Sequence, residues 1–308
     1  MHNHAPYIPP LSPAILLMGH GTQDPEGVQE FKVFAQQFAR QIPQRLVKSA
    51  FLEFVTPTMD QCVAEIARLD IKHITVLPIM LTAAGHTKND IPSEIHNLEH
   101  HQPQLRFVYG RDLNLHPAML RAAQERIMEA EKLFQPAYQR EETLLIVVGR
   151  GTSDPDANSN ISKLTRMLWE GMGFGWAETC YSGVTLPRLE PTLKLAAGLG
   201  FKNLLIFPYF LFTGRLVKRI YQQTQAFAQN HPELRIHSVP YLNNHPLVLK
   251  TTLERLHEAE QGQANMNCQL CKYREPIIGF ENQVGESQRG HHFHVRGHHS
   301  HAHNDETP

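Results

Sequence analysis

Two glycine-rich turns carry side chains whose types and positions could do chemistry. They read G-H-G-T-Q-D-P and G-R-G-T-S-D-P, and each follows a short apolar run, Ala14–Met18 in one case and Leu144–Val148 in the other. The residue between the glycines is His20 in the first turn and Arg150 in the second. An imidazole titrates near neutral pH and can bind a metal ion, whereas a guanidinium holds a permanent positive charge.

Three further side chains add to this pattern. Glu53 interrupts the apolar stretch F-L-E-F-V and is expected midway along a second strand, His86 lies in G-H-T-K-N-D-I, and Arg215 lies in G-R-L-V-K-R-I. Two imidazoles and one carboxylate suit a divalent first-row metal such as cobalt, iron or nickel, and they also suit proton removal. Arg150 and Arg215 suit a bidentate grip on carboxylates or phosphates. His20, Glu53 and His86 are therefore the predicted catalytic residues and metal ligands.

Each of these residues also has a purely structural interpretation. The Gly-His-Gly turn could be loop geometry alone, Glu53 could be a buried group paired for structure, and His86 could cap a helix. Arg150 and Arg215 could be solvated charges. The joint pattern favours function, because His20 matches Arg150 and His86 matches Arg215 when the two halves of the sequence are compared.

Residues 14–260 form two similar halves. The spacing from Gly19 to Gly149 is 130 residues and that from Gly85 to Gly214 is 129, which is too long for a solenoid unit and indicates a duplicated domain. Strand patterns alternate with helical patterns, so the predicted fold is α/β, with two lobes that each hold a parallel sheet flanked by helices. The carboxyl ends of such strands face the ligand crevice, where His20 and His86 should lie. The predicted organisation is an arm (1–13), a first lobe with the catalytic histidines (14–136), a duplicated lobe (137–260) and a tail (261–308).

Composition limits the classes of partner. The 308 residues carry a formal net charge of −1 and are 41% hydrophobic, so no overall charge directs the chain to nucleic acid or to a membrane surface. No apolar run approaches the roughly 20 residues that span a bilayer, and the N-terminus does not resemble a secretory signal. We therefore expect a cytoplasmic protein, as a monomer or homodimer, with no nucleic-acid or membrane partner.

The tail has its own metal-binding composition and is expected to be disordered without a ligand. Cys268 and Cys271 form a C-x-x-C, for which a labile metal site and a disulfide are both open. Histidine density after this motif is typical of a low-specificity buffer for cobalt, nickel or zinc. These histidines are His291, His292, His294, His298, His299, His301 and His303.

Three motifs together resemble the class II chelatases: G-H-G-T-x-D-P, F-L-E-F-V-T-P-T and P-I-M-L-T-A-A-G-H-T-K-N-D-I-P. The resemblance is strongest to long-form CbiX-type sirohydrochlorin cobaltochelatases, which are relatives of the siroheme ferrochelatases. It implies a bilobal fold and insertion of Co²⁺, or of Fe²⁺, into the tetrapyrrole sirohydrochlorin. By this resemblance His20 and His86 bind the metal and accept pyrrole protons, and Glu53 assists. It also implies an iron–sulfur centre at the C-x-x-C, although two thiolates supply only half of the usual ligands.

Other functions stay open at this point. The same ligands would serve a ferrochelatase that makes siroheme. A metal-storage protein or metallochaperone would use the histidine-rich tail and treat the duplicated lobes as a scaffold. A histidine phosphatase is disfavoured, because Met18 and Gly19 stand where its Arg-His-Gly signature would begin.

Overall fold

Strands and helices alternate along the part of the chain that this computed structural model describes, which is residues 13–134 and 139–286. The first lobe contains, in chain order, β1 (Ala14–Gly19), α1 (Pro25–Gln41), β2 (Val47–Phe51), α2 (Met59–Ala67), β3 (His73–Pro78), α3 (Ile91–His101), β4 (Arg106–Tyr109) and α4 (Pro117–Glu131). The second lobe contains β5 (Thr143–Gly149), α5 (Pro155–Met172), β6 (Trp176–Tyr181), α6 (Leu189–Ala197), β7 (Asn203–Pro208), α7 (Arg215–Asn230), β8 (Arg235–Ser238) and α8 (Pro246–Glu260).

Each lobe is built on one parallel sheet of four strands. The strand orders are β2-β1-β3-β4 and β6-β5-β7-β8, so the two sheets have the same topology. β1 and β5 lie inside their sheets and are buried along their whole length, as expected of apolar strands covered on both faces. The predicted pair of parallel sheets flanked by helices is thereby confirmed.

One apolar core joins the two lobes. It contains Leu17 and Phe34 from the first lobe together with Leu145 and Phe207 from the second, all at most 1% exposed. Two further cores lie on the outer faces of the sheets, one within each lobe. Because the lobes share the central core, the crevice between them is held by extensive apolar burial.

The glycine-rich turns connect each central strand to its helix in the same way. Asp24 and Asp154 cap α1 and α5 by accepting backbone N–H groups, and proline follows each cap at the first helical position. Gly21 and Gly151 adopt φ values of +90° and +82°, which favour glycine. A Cβ atom on Gly21 would lie 1.9 Å from the carbonyl oxygen of Glu53. The turn and the Glu53 loop are therefore in direct contact.

Glu53 does not lie midway along a strand, so that prediction is wrong. β2 ends at Phe51, and the Glu53 amide donates to the carbonyl of His20 before the chain turns through Phe54, whose φ is +68°. The apolar pattern continues past the strand because this loop also packs inside the lobe. In the second lobe the equivalent amide belongs to Gly183, which donates to the carbonyl of Arg150.

A π-helical turn, His86–Asp90, precedes α3, whereas α7 in the second lobe is α-helical from its start. At the start of these two helical segments, equivalent residues of the two lobes make the same backbone hydrogen bond. The Lys88 amide bonds to the carbonyl of Ala84, and the Lys218 amide bonds to the carbonyl of Gly214. Lys88 is therefore equivalent to Lys218, and the spacing between equivalent residues of the two lobes is still 130 residues at this point.

Immediately after this turn, the spacing between equivalent residues of the two lobes becomes 129 residues. The Ile91 amide bonds to the carbonyl of His86, five residues back, and Ile91 matches Ile220. The first lobe therefore holds one extra residue within its π-helical turn, as π-helices commonly do. As a result His86 matches Leu216, and the predicted equivalence of His86 with Arg215 is off by one residue.

Part of the predicted tail packs against the lobes, which was not expected: among residues 261–286, Cys271 and Lys272 are buried and most of the others are exposed. Lys272 is 4% exposed and donates to the carbonyl of Ser153, and Asn267 donates to the carboxylate of Asp156. The predicted domain limits stay a prediction. No helix in residues 13–134 and 139–286 is both long and apolar enough to cross a bilayer.

Candidate active site

Three neighbouring strands of the first sheet bring His20, Glu53 and His86 together. His20 follows β1, Glu53 follows β2, and His86 opens the π-helical turn after β3, so all three lie at the carboxyl edge of the sheet. One ligand atom from each residue lies within 4.8 Å of the other two. The structure therefore brings together the three residues that were predicted as metal ligands.

The two ring nitrogens of His20 have different partners. Its Nδ1 atom lies 3.0 Å from the carbonyl oxygen of Gly21. Because a carbonyl only accepts hydrogen bonds, this contact places the proton of the neutral ring on Nδ1 and leaves the lone pair on Nε2. The ring meets the ring of His86 edge to face, with centroids 4.5 Å apart.

His86 is held in the matching tautomer by a carboxylate. Its Nδ1 atom lies 2.7 Å from Oδ2 of Asp90, and its Nε2 atom lies 3.9 Å from Oε1 of Glu53. His86, Glu53 and Asp90 are 9%, 4% and 2% exposed. A carboxylate behind a histidine ligand fixes the ring and raises its basicity. Asp90 belongs to the π-helical turn that holds the extra residue, so this turn equips the first lobe for the contact.

The donor set fits a divalent first-row metal. Bonds of about 2.0–2.2 Å to nitrogen and oxygen would separate neighbouring ligand atoms by about 3 Å, so the three ligand atoms, which lie within 4.8 Å of one another, would move closer together around a bound ion. Three protein ligands leave the remaining coordination positions open. A site of this kind binds a metal and can also release it, because few protein bonds must be broken.

Arg150 and Arg215 share one cavity with the histidines. The cavity has a volume of about 490 Å³, lies between the lobes and is lined mainly by apolar groups. Nη2 of Arg150 lies 3.2 Å from Nε2 of His20, so a residue of the second lobe contacts one of the three candidate metal ligands directly. Arg215 reaches the cavity from the first residue of α7.

Lys88 connects the two lobes through buried ion pairs. Its Nζ atom lies 2.8 Å from Oδ2 of Asp154 and 3.0 Å from Oδ2 of Asp156, and all three side chains are at most 7% exposed. Burial lowers the pKa of Lys88, but the two aspartates together raise it above its usual value. Sequence reasoning missed Lys88 and Asp90, although both lie in the quoted motif G-H-T-K-N-D-I.

The cysteines do not extend the metal centre. Cys271 is buried and Cys268 is exposed, and neither joins the group of three ligands found among the described residues. Cys62 and Cys180 lie in the separate outer cores of the two lobes. The iron–sulfur centre therefore has no support from the described part of the chain. The histidines of the tail, His291 to His303, lie outside the described residues.

Comparison with known proteins gives one consistent result. The CbiX family model matches residues 14–130 and again residues 144–259. The chain is 37% identical over 268 residues to a sirohydrochlorin cobaltochelatase of Priestia megaterium, covering 86% of each chain. It is 27% identical over 215 residues to a sirohydrochlorin ferrochelatase of the same species, covering 70% of this chain and 79% of the relative.

A solved structure agrees with these relatives. The sirohydrochlorin chelatase SirB of Bacillus subtilis subspecies spizizenii, in complex with cobalt, aligns with a TM-score of 0.68 and 26% identity. The alignment covers 82% of this chain and 97% of the SirB chain.

Proposed function

The chain belongs to the CbiX family, and on that premise we propose that it is a sirohydrochlorin cobaltochelatase that inserts Co²⁺ into sirohydrochlorin on the way to cobalamin. The observation that carries this proposal is the cluster of His20, Glu53 and His86, whose two histidines line the cavity between the lobes. In this proposal the metal ion is a substrate, which the site holds and then passes on.

The ligand set also matches the proton balance of the reaction. Insertion of a divalent ion into a free-base tetrapyrrole releases two protons from pyrrole nitrogens. When the metal leaves the protein, the Nε2 lone pairs of His20 and His86 become free, and each can accept one of these protons. Asp90 then stabilises the imidazolium of His86 through the Nδ1 hydrogen bond, and the Glu53 carboxylate lies 3.9 Å from its Nε2.

The cavity suits a large, flat polycarboxylate. Apolar walls that include Phe31, Tyr209 and Phe212 can contact the faces of a macrocycle. Arg150 and Arg215 can bind its peripheral carboxylates, each through a bidentate pair of N–H groups. Both lobes of one chain line the cavity, so a monomer would have a complete site, although a homodimer stays open.

Cobalt is preferred over iron on the strength of the relatives. Identity to the cobaltochelatase is 37%, against 27% for the ferrochelatase. Imidazole and carboxylate ligands accept cobalt, iron and nickel alike, so the donor set itself does not choose between these metals. A ferrochelatase for siroheme is the second candidate. Metal storage is less favoured, because the three-ligand site lies in the lobes and its open positions suit transfer.

The test is anaerobic mixing of the purified full-length chain with sirohydrochlorin and limiting Co²⁺, followed by the absorbance of the tetrapyrrole. Acceleration above the uncatalysed rate supports the proposal, and a parallel series with Fe²⁺ decides between the two chelatases. Tight binding of several metal ions without acceleration by any metal would instead favour storage. Arg150→Ala and Arg215→Ala should each raise the KM for sirohydrochlorin. An unchanged KM would refute their assignment to the carboxylates.

A further inference from the structure

Arg150 of the second lobe hydrogen-bonds to Nε2 of His20, which is the atom of the first lobe that would bind the metal ion. The His20 ring carries its proton on Nδ1, which faces the Gly21 carbonyl, so its lone pair is on Nε2. Nη2 of Arg150 lies 3.2 Å from that Nε2 atom. A guanidinium can only donate hydrogen bonds, so the lone pair of His20 accepts from Arg150.

A metal ion needs the same lone pair. A first-row metal binds an imidazole nitrogen at about 2.0–2.1 Å, a position that an N–H group directed at that nitrogen already fills. The positive charge of the guanidinium also repels a divalent cation. Metal binding at His20 and the contact between Arg150 and His20 therefore exclude each other.

We infer that Arg150 keeps His20 closed to metal until a carboxylate of the tetrapyrrole draws the guanidinium away, so that the tetrapyrrole binds first and the metal second. This inference rests on the proposed function of the site. A carboxylate is a stronger partner for a guanidinium than a neutral imidazole is, because the pair is charged and can be bidentate. By reciprocity, bound carboxylate and bound metal then strengthen each other.

The surroundings of Arg150 permit a movement of the side chain without a movement of the loop. Arg150 is exposed and lines the cavity between the lobes. Its backbone is fixed by the next residue, Gly151, where a Cβ atom would lie 2.0 Å from the carbonyl oxygen of Gly183. The guanidinium can thus exchange its partner by rotation of the side chain alone.

The test is the affinity for Co²⁺ alone, measured by titration calorimetry on the full-length chain without tetrapyrrole. The four proteins are the wild type, Arg150→Met, His20→Ala and the double variant. Arg150→Met should bind Co²⁺ about tenfold more tightly than the wild type, since one charge-assisted hydrogen bond no longer competes. In the His20→Ala background the same substitution should have little effect, because no lone pair is left to uncover.

Arg215→Met is the matched control, because it also removes one positive charge from the cavity. It should change the Co²⁺ affinity less than Arg150→Met does. Unchanged affinity in Arg150→Met would overturn the inference. An equal gain in Co²⁺ affinity in the His20→Ala background or in Arg215→Met would also overturn it. Such a gain would arise from the loss of any positive charge in the cavity and not from the contact between Arg150 and His20. These readouts need no turnover, so a chain that fails to metallate sirohydrochlorin would refute the proposed function separately.

Discussion

Lys88 of the first lobe and Asp154 of the second form a buried ion pair across the crevice, with Nζ and Oδ2 2.8 Å apart. The duplication repeats this contact in the opposite sense, because Lys218 of the second lobe lies 2.8 Å from Asp24 of the first. The two pairs differ in exposure. The Lys88 side chain is 4% exposed, whereas that of Lys218 is 43% exposed.

This difference predicts unequal effects on stability. Lys88→Met should lower the free energy of unfolding by about 3–5 kcal/mol, because it leaves the carboxylates of Asp154 and Asp156 buried without their cation. Lys218→Met is the matched control and should have a much smaller effect, since water screens an exposed pair. Urea denaturation at pH 7 measures both. Equal losses in the two variants would show that burial does not govern these contacts.

Asp90 should act on catalysis through His86. Asp90→Asn keeps the size of the side chain but weakens the support of the imidazole, so we expect kcat for metallation to fall about 10- to 100-fold. The KM for sirohydrochlorin should stay the same, because Asp90 does not line the cavity. Glu254→Gln is the control, since it alters another histidine–carboxylate contact of 2.7 Å, that with His116. Full activity in Asp90→Asn would remove Asp90 from the mechanism.

Gly21 should tolerate no side chain. Gly173→Ala should cost about 1–2 kcal/mol, because alanine at its φ of +76° is strained but meets nothing within 4 Å. Gly21→Ala has the same kind of strain and also a clash with the carbonyl oxygen of Glu53. We therefore expect it to lose more stability and to weaken Co²⁺ binding, as measured by thermal unfolding and calorimetry. Equal losses of stability and equal Co²⁺ affinities in Gly21→Ala and Gly173→Ala would contradict the close contact between the Gly21 turn and the Glu53 loop.

Asp112 should make stability depend on pH. Burial raises the pKa of Asp112 to about 6, against the lowering effects of Arg111 and Arg255, whereas an unfolded aspartate has a value of 3.8. Below pH 3.8 Asp112 is protonated in both the folded and the unfolded state, so it does not lower the free energy of unfolding. Between pH 3.8 and 6 the unfolded chain ionises first, so the folded state loses about 3 kcal/mol, and above pH 6 this loss is complete.

Asp112→Asn should therefore raise the free energy of unfolding at pH 7 and have no such effect below pH 4. Asp70→Asn serves as the control, because the Asp70 side chain is 88% exposed. Denaturant titrations at several pH values give the comparison. A gain that is the same at pH 4 and pH 7 would show that ionisation of Asp112 is not its cause.

Local patterns were sufficient to predict the sheets and the identity of the clustered residues. An apolar run that ends in G-H-G-T-x-D-P specifies a buried strand, a glycine turn, an aspartate cap and a proline at the first helical position. These are short-range effects, which sequence reports directly. The duplication then predicted that His20 and Arg150 would take matching places, and both lie at the ends of matching strands.

Longer-range features were beyond such patterns. Because of the extra residue in the π-helical turn, His86 is equivalent to Leu216 and not to Arg215. Sequence comparison alone could not locate this insertion, because a one-residue gap can be placed at several positions in the alignment of the two halves. The ion pairs of Lys88 could not be predicted, because its partners, Asp154 and Asp156, are 66 and 68 residues away in sequence. The contacts of residues 261–286 were also out of reach, because Asn267 and Lys272 bond to Asp156 and Ser153, which are 111 and 119 residues away in sequence.

The assignment of His20, Glu53 and His86 as the chelatase centre is tested most directly by the anaerobic rate of Co²⁺ insertion into sirohydrochlorin by the wild type, His20→Ala, Glu53→Gln and His86→Ala. We expect the wild type to exceed the uncatalysed rate and both histidine variants to lose that acceleration, with Glu53→Gln strongly reduced. All four proteins should keep the same thermal unfolding midpoint within a few degrees. A histidine variant that unfolds normally and metallates at the wild-type rate would contradict the assignment of this cluster as the chelatase centre.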